Sequence, residues 1–168
     1  MIKKITLLFA LTLALTACSS EKNQTSTHIN QAPAFDLVDL DGNTHSLEKY
    51  AGKKVYIKFW ASWCPICLAG LEELNTLSME ENDFIVLTVV SPGYNNEKKK
   101  DAFIKWFTGV EDVSNITVLL DEDGTIAKQY QVRGYPTSFF IDANGELVLT
   151  QPGHLDNEQI KQQLNQIQ

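Results

Sequence analysis

The run Val55-Tyr56-Ile57-Lys58-Phe59-Trp60-Ala61-Ser62-Trp63-Cys64-Pro65-Ile66-Cys67 decides the fold class of this chain. Apart from Lys58, residues 55–60 are β-branched or aromatic, the composition of a central strand buried on both faces. Val55, Ile57 and Phe59 share one strand face, and Tyr56, Lys58 and Trp60 share the other. From Cys64 onward the pattern changes period. Leu68, Leu71, Leu74 and Leu77 recur every three residues, which predicts an amphipathic helix with Glu72 and Glu73 outward. Pro65 suits the first helical turn, where no N–H is owed. A strand that turns straight into a helix places Cys64 at the helix N-terminus, where unpaired N–H groups and the dipole stabilise an anion.

Working outward, residues 35–40 and 44–47 flank Asp41-Gly42-Asn43 and read as a short hairpin. Residues 84–90 form a second buried strand, halted by Ser91-Pro92-Gly93. Phe103, Ile104, Trp106 and Phe107 give helical spacing over 97–108. A third strand covers 117–120, and Asp123-Gly124 turns the chain into a short helix ending near Tyr130. Residues 138–141 and 146–150 form a hairpin across Asp142-Ala143-Asn144-Gly145. A polar, Gln-rich amphipathic helix over 155–167 closes the chain. This order predicts an α/β fold: a central mixed β-sheet flanked by helices, with an N-terminal β-hairpin and a central insertion.

The first residues are of another kind. Lys3 and Lys4 precede an apolar stretch over 5–14, the pattern of a signal peptide. It is shorter than the roughly 20 apolar residues that span a bilayer. Leu15-Thr16-Ala17-Cys18 resembles a bacterial lipobox, which implies cleavage before Cys18 and a diacylglycerol on its sulfur. Residues 1–17 are thus expected to be a lipoprotein signal peptide, and 18–32 a flexible tether rich in Ser, Thr, Asn and Gln. The folded domain is expected over 33–168, opening at Pro33. Such a chain is exported and anchored by lipid at Cys18, at the extracellular face or in a periplasm; Ser19 is not the Asp that retains lipoproteins at an inner membrane. The net charge of −7 becomes −9 once Lys3 and Lys4 are lost, which disfavours nucleic acid and leaves lipid as the means of attachment. Lys98-Lys99-Lys100, hemmed in by Glu97 and Asp101, reads as a solvated helix face.

The chain has three cysteines. With Cys18 assigned to lipid, Cys64 and Cys67 remain and pair with each other. Zinc sites share the Cys-x-x-Cys spacing but need four ligands. His28, His45 and His154 fall in the tether, the hairpin and the chain after the last strand, where each reads as a surface or locally satisfied residue. No metal and no cofactor beyond the dithiol is therefore expected. A structural disulfide across two residues closes almost no loop and adds little stability. Redox use fits better, because Cys-x-x-Cys thiols at helix N-termini have pKa values from about 3.5 to about 7. Cys64 is then the nucleophile, and Cys67, one turn inside the helix, resolves the mixed disulfide.

Residues 60–67 and Arg133-Gly134-Tyr135-Pro136-Thr137 together resemble the active-site signatures of the thioredoxin superfamily, in its membrane-anchored TlpA/ResA-like branch, over about residues 34–163. The resemblance implies a cis peptide bond at Pro136, and a substrate-binding surface of Trp63, Pro65, Ile66, Arg133, Tyr135 and Pro136. The region 90–107, with 118–121 and 132–138, resembles thioredoxin-like modules that serve, or are fused to, secreted methionine sulfoxide reductases. That implies a thiol-disulfide reductase fed by a membrane thiol-disulfide transporter, with an exported methionine sulfoxide reductase as client. Alternatives are a reductase of apocytochrome c haem-attachment sites, a disulfide-forming oxidase, and, in another class, a non-catalytic metal-delivery module. A thiol peroxidase is disfavoured by Ala61, where a Thr or Ser is expected.

Two positions depart from the family pattern. Lys58 stands where many thioredoxins carry a buried Asp, and Gly70 stands where some branch members carry a Glu. Glu72 and Glu73 are the substitutes at hand. Lys58 either tunes the dithiol, by losing its proton in an apolar setting or by stabilising a thiolate, or it snorkels to the surface.

Overall fold

The apolar run that opens the sequence becomes an interior strand, β3 (Lys54–Phe59). In the computed structural model, which describes residues 30–167, it pairs in parallel with β4 (Phe84–Val90) and antiparallel with β6 (Thr137–Ile141). β5 (Val118–Leu120) adds in parallel to β4, and β1 (Asp36–Asp39) lies antiparallel to β5. The edges are β2 (Thr44–Ser46) and β7 (Leu147–Pro152), giving a seven-stranded mixed sheet of order β2-β1-β5-β4-β3-β6-β7.

Parallel neighbours need crossovers, and helices supply them. α1 (Pro65–Ala69) and α2 (Leu71–Met79) link β3 to β4, and α3 (Lys100–Phe107) links β4 to β5. α4 (Thr125–Gln129) and the C-terminal α5 (Asn157–Gln166) complete the fold. The two faces of β3 seed two core layers. Tyr56 and Trp60 pack with Cys67, Leu74, Phe103 and Leu164, whereas Val55, Ile57 and Phe59 pack with Leu37, Tyr130 and Phe139. Trp60 meets the rings of Phe103 and Phe107 at centroid distances of 6.0 Å each, so α3 is held against the strand that carries the dithiol.

Three expectations are revised. The helix after Cys64 is two helices, interrupted at Gly70, whose φ of −98° and ψ of 7° fall outside the helix. The helix expected from Glu97 begins at Lys100, because Glu97 is buried in the loop before it. The fold also takes in residues ahead of Pro33: Gln31 bridges to Glu146, the Ala32 N–H donates to the Gly145 carbonyl at 3.0 Å, and Ala32 is buried. Those pairings use backbone groups, so the polar side chains gave no sign of them. Cys18, His28, the signal segment and the rest of the tether lie outside the described residues. Among the described residues no helix is long and apolar enough to cross a membrane.

Candidate active site

Where β3 ends, Ala61 and Ser62 turn the chain into α1 and leave Cys64 as its N-cap, with extended backbone (φ −92°, ψ 105°). The Cys67 N–H points at the Cys64 sulfur at 3.3 Å, and Cys67 and Leu68 donate their amides to the Cys64 carbonyl. An anion on Cys64 therefore sits in the field of the first helical turn, although α1 is short. Cys64 and Cys67 are joined by a disulfide with a Cα–Cα distance of 5.2 Å. Both are buried, Cys67 completely.

The loop before β6 supplies the other wall. The Tyr135–Pro136 bond is cis, and the Tyr135 carbonyl lies 3.6 Å from Cys64 Sγ. Trp63 and Ile66 stand out beside the sulfurs at 48% and 54% exposure, where the described residues otherwise show few large apolar side chains. The Trp63 ring meets Tyr135 edge-on at 5.8 Å, and its Nε1 donates to the Asn95 carbonyl at 3.0 Å. Pro65, at the first position of α1, is exposed beside them. Arg133 lies farther along the loop, with Tyr135, Pro136 and Thr137 on a groove of about 620 Å³ that runs to Gln31 and Gly153. Of the six residues expected to bind substrate, Trp63, Pro65 and Ile66 are exposed around the cysteine pair. Trp63 meets Tyr135, whose carbonyl faces Cys64, whereas Arg133 lies on the groove, whose lining does not include Cys64.

The sequence did not reveal what fixes this turn in place. Glu97 is buried, and its carboxylate accepts hydrogen bonds from Ser62 N (2.5 Å), Ser62 Oγ (2.6 Å) and Lys98 N (2.6 Å). Lys98 Nζ reaches Ser62 Oγ at 2.6 Å and lies 4.9 Å from the Trp106 ring centroid. The start of the lysine run is therefore a clamp on the dithiol turn, not a solvated face. Asn95 and Asn96, both at positive φ, bring the chain round so that Glu97 faces inward. That pair of asparagines was the available signal.

Lys58 does not snorkel: it is 1% exposed. Burial pushes its ammonium down to about 8, against the opposing pull of the Glu73 carboxylate. Its Nζ ends under Gly70, 3.4 Å from where a β-carbon would stand. The ring of His154 fills the same place, with Nδ1 at 2.8 Å from that point. His154 Nε2 lies 3.5 Å from Glu73 Oε2, while its Nδ1 is buried with no hydrogen-bond partner among the described residues. His154 is thus not locally satisfied. His45 is, between Asp39 at 2.8 Å and the Tyr50 hydroxyl. Among the described residues no three His, Cys, Asp or Glu side chains gather in metal-binding geometry.

A family model described as Redoxin matches residues 28–166. This chain belongs to the Redoxin family. The Redoxin-family chain is 52% identical over 126 residues to an uncharacterised protein of Haemophilus influenzae, covering 74% of this chain and 80% of that one. It is 31% identical over 140 residues to the thiol-disulfide oxidoreductase ResA of Geobacillus thermodenitrificans, covering 81% and 75%. Among solved structures it resembles the pneumococcal exposed lipoprotein thioredoxin Etrx1 of Streptococcus pneumoniae, with a TM-score of 0.77 and 46% identity over 80% of this chain and 100% of that one. The fold is thioredoxin-like, and the protein is a thiol-disulfide oxidoreductase of the thioredoxin/ResA type.

Proposed function

We propose that this oxidoreductase is an exported, lipid-anchored thiol-disulfide reductase in which Cys64 attacks and Cys67 resolves. The observation that carries the reading is the Cys64–Cys67 disulfide at the head of α1, its outer sulfur facing the Tyr135 carbonyl beside cis-Pro136. Once reduced, Cys64 thiolate attacks one sulfur of a client disulfide and the other sulfur leaves. Cys67 then loses its proton and attacks Cys64 Sγ, which breaks the mixed disulfide and releases the reduced client. Trp63, Pro65 and Ile66 flank the client on one side, and Tyr135, Pro136 and Arg133 on the other. The electrons reside in the sulfur pair, so no further cofactor is called for.

An exported dithiol sits in an oxidising compartment and needs electrons from across the membrane. A membrane thiol-disulfide transporter supplies them. The client is a secreted methionine sulfoxide reductase, whose repair of oxidised Met leaves a disulfide to be reduced. The support is the resemblance of residues 90–107, 118–121 and 132–138 to modules that serve such enzymes. Lipid on Cys18 holds the domain at the membrane, as the name of the pneumococcal relative describes for that protein.

The test is to express the full chain as Cys67→Ala in its own cell envelope and identify what remains disulfide-linked to Cys64. Recovery of a methionine sulfoxide reductase supports the reading, and recovery of cytochrome c precursors alone overturns the client. A reduction potential near that of thioredoxin, about −270 mV, supports a reductase, whereas one near about −120 mV makes the protein an oxidase. Cys18→Ala should move the protein from the membrane to the soluble fraction; unchanged membrane retention refutes the anchor.

A further inference from the structure

The resolving step requires Cys67 to lose a proton inside the protein, yet no carboxylate occupies the two positions noted above, Lys58 and Gly70. What the fold gathers there instead is a lysine, a histidine and a glutamate from three separate elements. Lys58 comes up from β3 on the face it shares with Tyr56 and Trp60, the face packed against Cys64 and Cys67. Its Nζ ends beneath Gly70, whose own N–H bonds back to the Cys67 carbonyl at 3.3 Å. His154 enters from the chain after β7 and occupies the space that the missing Gly70 side chain leaves. Lys58 Nζ and His154 Nδ1 are therefore no farther apart than the sum of their 3.4 Å and 2.8 Å distances from one point. Glu73, one turn along α2, faces the far nitrogen of the ring.

We propose that Lys58 and His154, backed by Glu73, form a proton relay that takes the proton from Cys67 during the resolving step. Two features give the relay its direction. His154 Nδ1 is a buried ring nitrogen with no hydrogen-bond partner among the described residues, and an unpaired polar atom in such a place calls for an explanation. Nε2 already faces a carboxylate, so an imidazolium formed by protonation at Nδ1 gains an ion pair at once. The lysine ammonium hands a proton to His154 Nδ1, and the neutral amine then takes the proton from the Cys67 thiol. The Cys67 thiolate forms its bond to Cys64 Sγ, the bond from Cys64 to the client breaks, and the client sulfur leaves with the electron pair. Lys58 is again an ammonium, the departed proton sits on His154, and the ring is exposed enough along one edge to return it to water. His154 acts through Lys58 and touches no reacting sulfur.

The surroundings of Lys58 leave few competitors. β4 and β6 present Thr88 and Ser138 in register with it, both neutral. Tyr56, two residues back on β3, is tied to Ser138 Oγ at 2.9 Å, and burial drives its phenol further above the ordinary range. From the helices come Cys67 and Glu73, with Asn157 of α5 bonded to the Glu73 carbonyl at 2.7 Å. Asp156 is engaged in capping α5. Burial lowers the proton affinity of Lys58 to about 8, which favours release of its proton.

This inference rests on Cys67 being the resolving thiol, and one experiment reads the two separately. The purified full chain is reduced and mixed with 5,5′-dithiobis(2-nitrobenzoate) in a stopped-flow instrument from about pH 5 to about pH 9, the range in which an imidazole titrates. The first thionitrobenzoate released reports attack by Cys64, and the second reports resolution by Cys67. In His154→Gln the first phase should match wild type, while the second slows about tenfold and changes its pH profile; Lys58→Met should slow it by about a hundredfold. Gly70→Ala, whose β-carbon would meet His154 Cε1 at 2.5 Å and swing the ring outward, should reproduce the His154→Gln profile in a chain whose histidine is intact. Glu73→Gln, which removes the carboxylate facing His154 Nε2, should slow the second phase and leave the first unchanged. A second phase in His154→Gln and Gly70→Ala with wild-type rate and pH profile overturns the relay. A second phase that persists in Cys67→Ala instead overturns the assignment of the resolving thiol.

Discussion

Lys58 is a cation set into a strand whose neighbours are apolar, and the strand holds it there because β3 pairs on both edges and cannot twist away. Its lowered proton affinity has a consequence for stability that needs no redox chemistry. Below about pH 8 the amine is charged in the folded and the unfolded chain alike, and the full cost of burying the charge is present. Between about 8 and the ordinary value of 10.5 the folded chain has released the proton while the unfolded chain still holds it. Stability therefore rises with pH across that window. We expect urea midpoints of the oxidised protein to climb from pH 8 to pH 10 relative to Lys58→Met, which should show no such increment and should be the more stable of the two at pH 7. A constant difference between the two proteins across the window would sink the assignment of the shift to Lys58.

At the scale of elements, the dithiol is placed by what surrounds its helix more than by the helix itself, which has only five residues. The carboxylate of Glu97 ties the turn at Ser62 to the loop before α3 through charge-assisted hydrogen bonds. Glu97→Ala leaves those buried donors unpaired, and we expect a loss of about 2–3 kcal/mol in stability. Reduction of insulin by the same variant should fall with it, because the Cys64 sulfur is then no longer held against Tyr135. Wild-type insulin reduction would show that the clamp is only structural. α5 depends on a different device. Asp156 accepts from the Gln159 N–H at 2.8 Å, and the Gln159 side chain returns a bond to the Asp156 N–H, a reciprocal capping box. Asp156→Ala should cost about 1 kcal/mol, read as a lowered thermal midpoint with insulin reduction retained.

Across the whole molecule, the sheet separates two apolar layers, and the layer under the active site contains a cluster of aromatic rings. Phe103 packs against Trp60, Trp106 and Phe107, joining the insertion between β4 and β5 to the strand that carries the dithiol. Phe103→Ala should destabilise the fold by about 3–5 kcal/mol, and a chemical denaturation midpoint within error of wild type would contradict that role. The strands and their faces were legible in the sequence because local periodicity reports burial directly. Cys64-Pro65-Ile66-Cys67 and Tyr135-Pro136 were legible too, since helix-start chemistry and a loop motif are short-range patterns. The break at Gly70, the inward turn of Glu97 and the approach of His154 to Lys58 were not. Each joins residues far apart in the chain: Ser62 to Glu97 across 35 positions, and Lys58 and Gly70 to a histidine beyond the last strand. A polar residue gives no periodic signal that says whether it faces water or a partner brought in by the fold. The sequence by itself thus pointed to a thiol-disulfide oxidoreductase with Cys64 and Cys67 as a pair, and the two are joined by a disulfide. The tertiary structure alone decided which groups surround the buried sulfur, because desolvation and pairing of charges depend on distances that exist only once the chain has closed on itself.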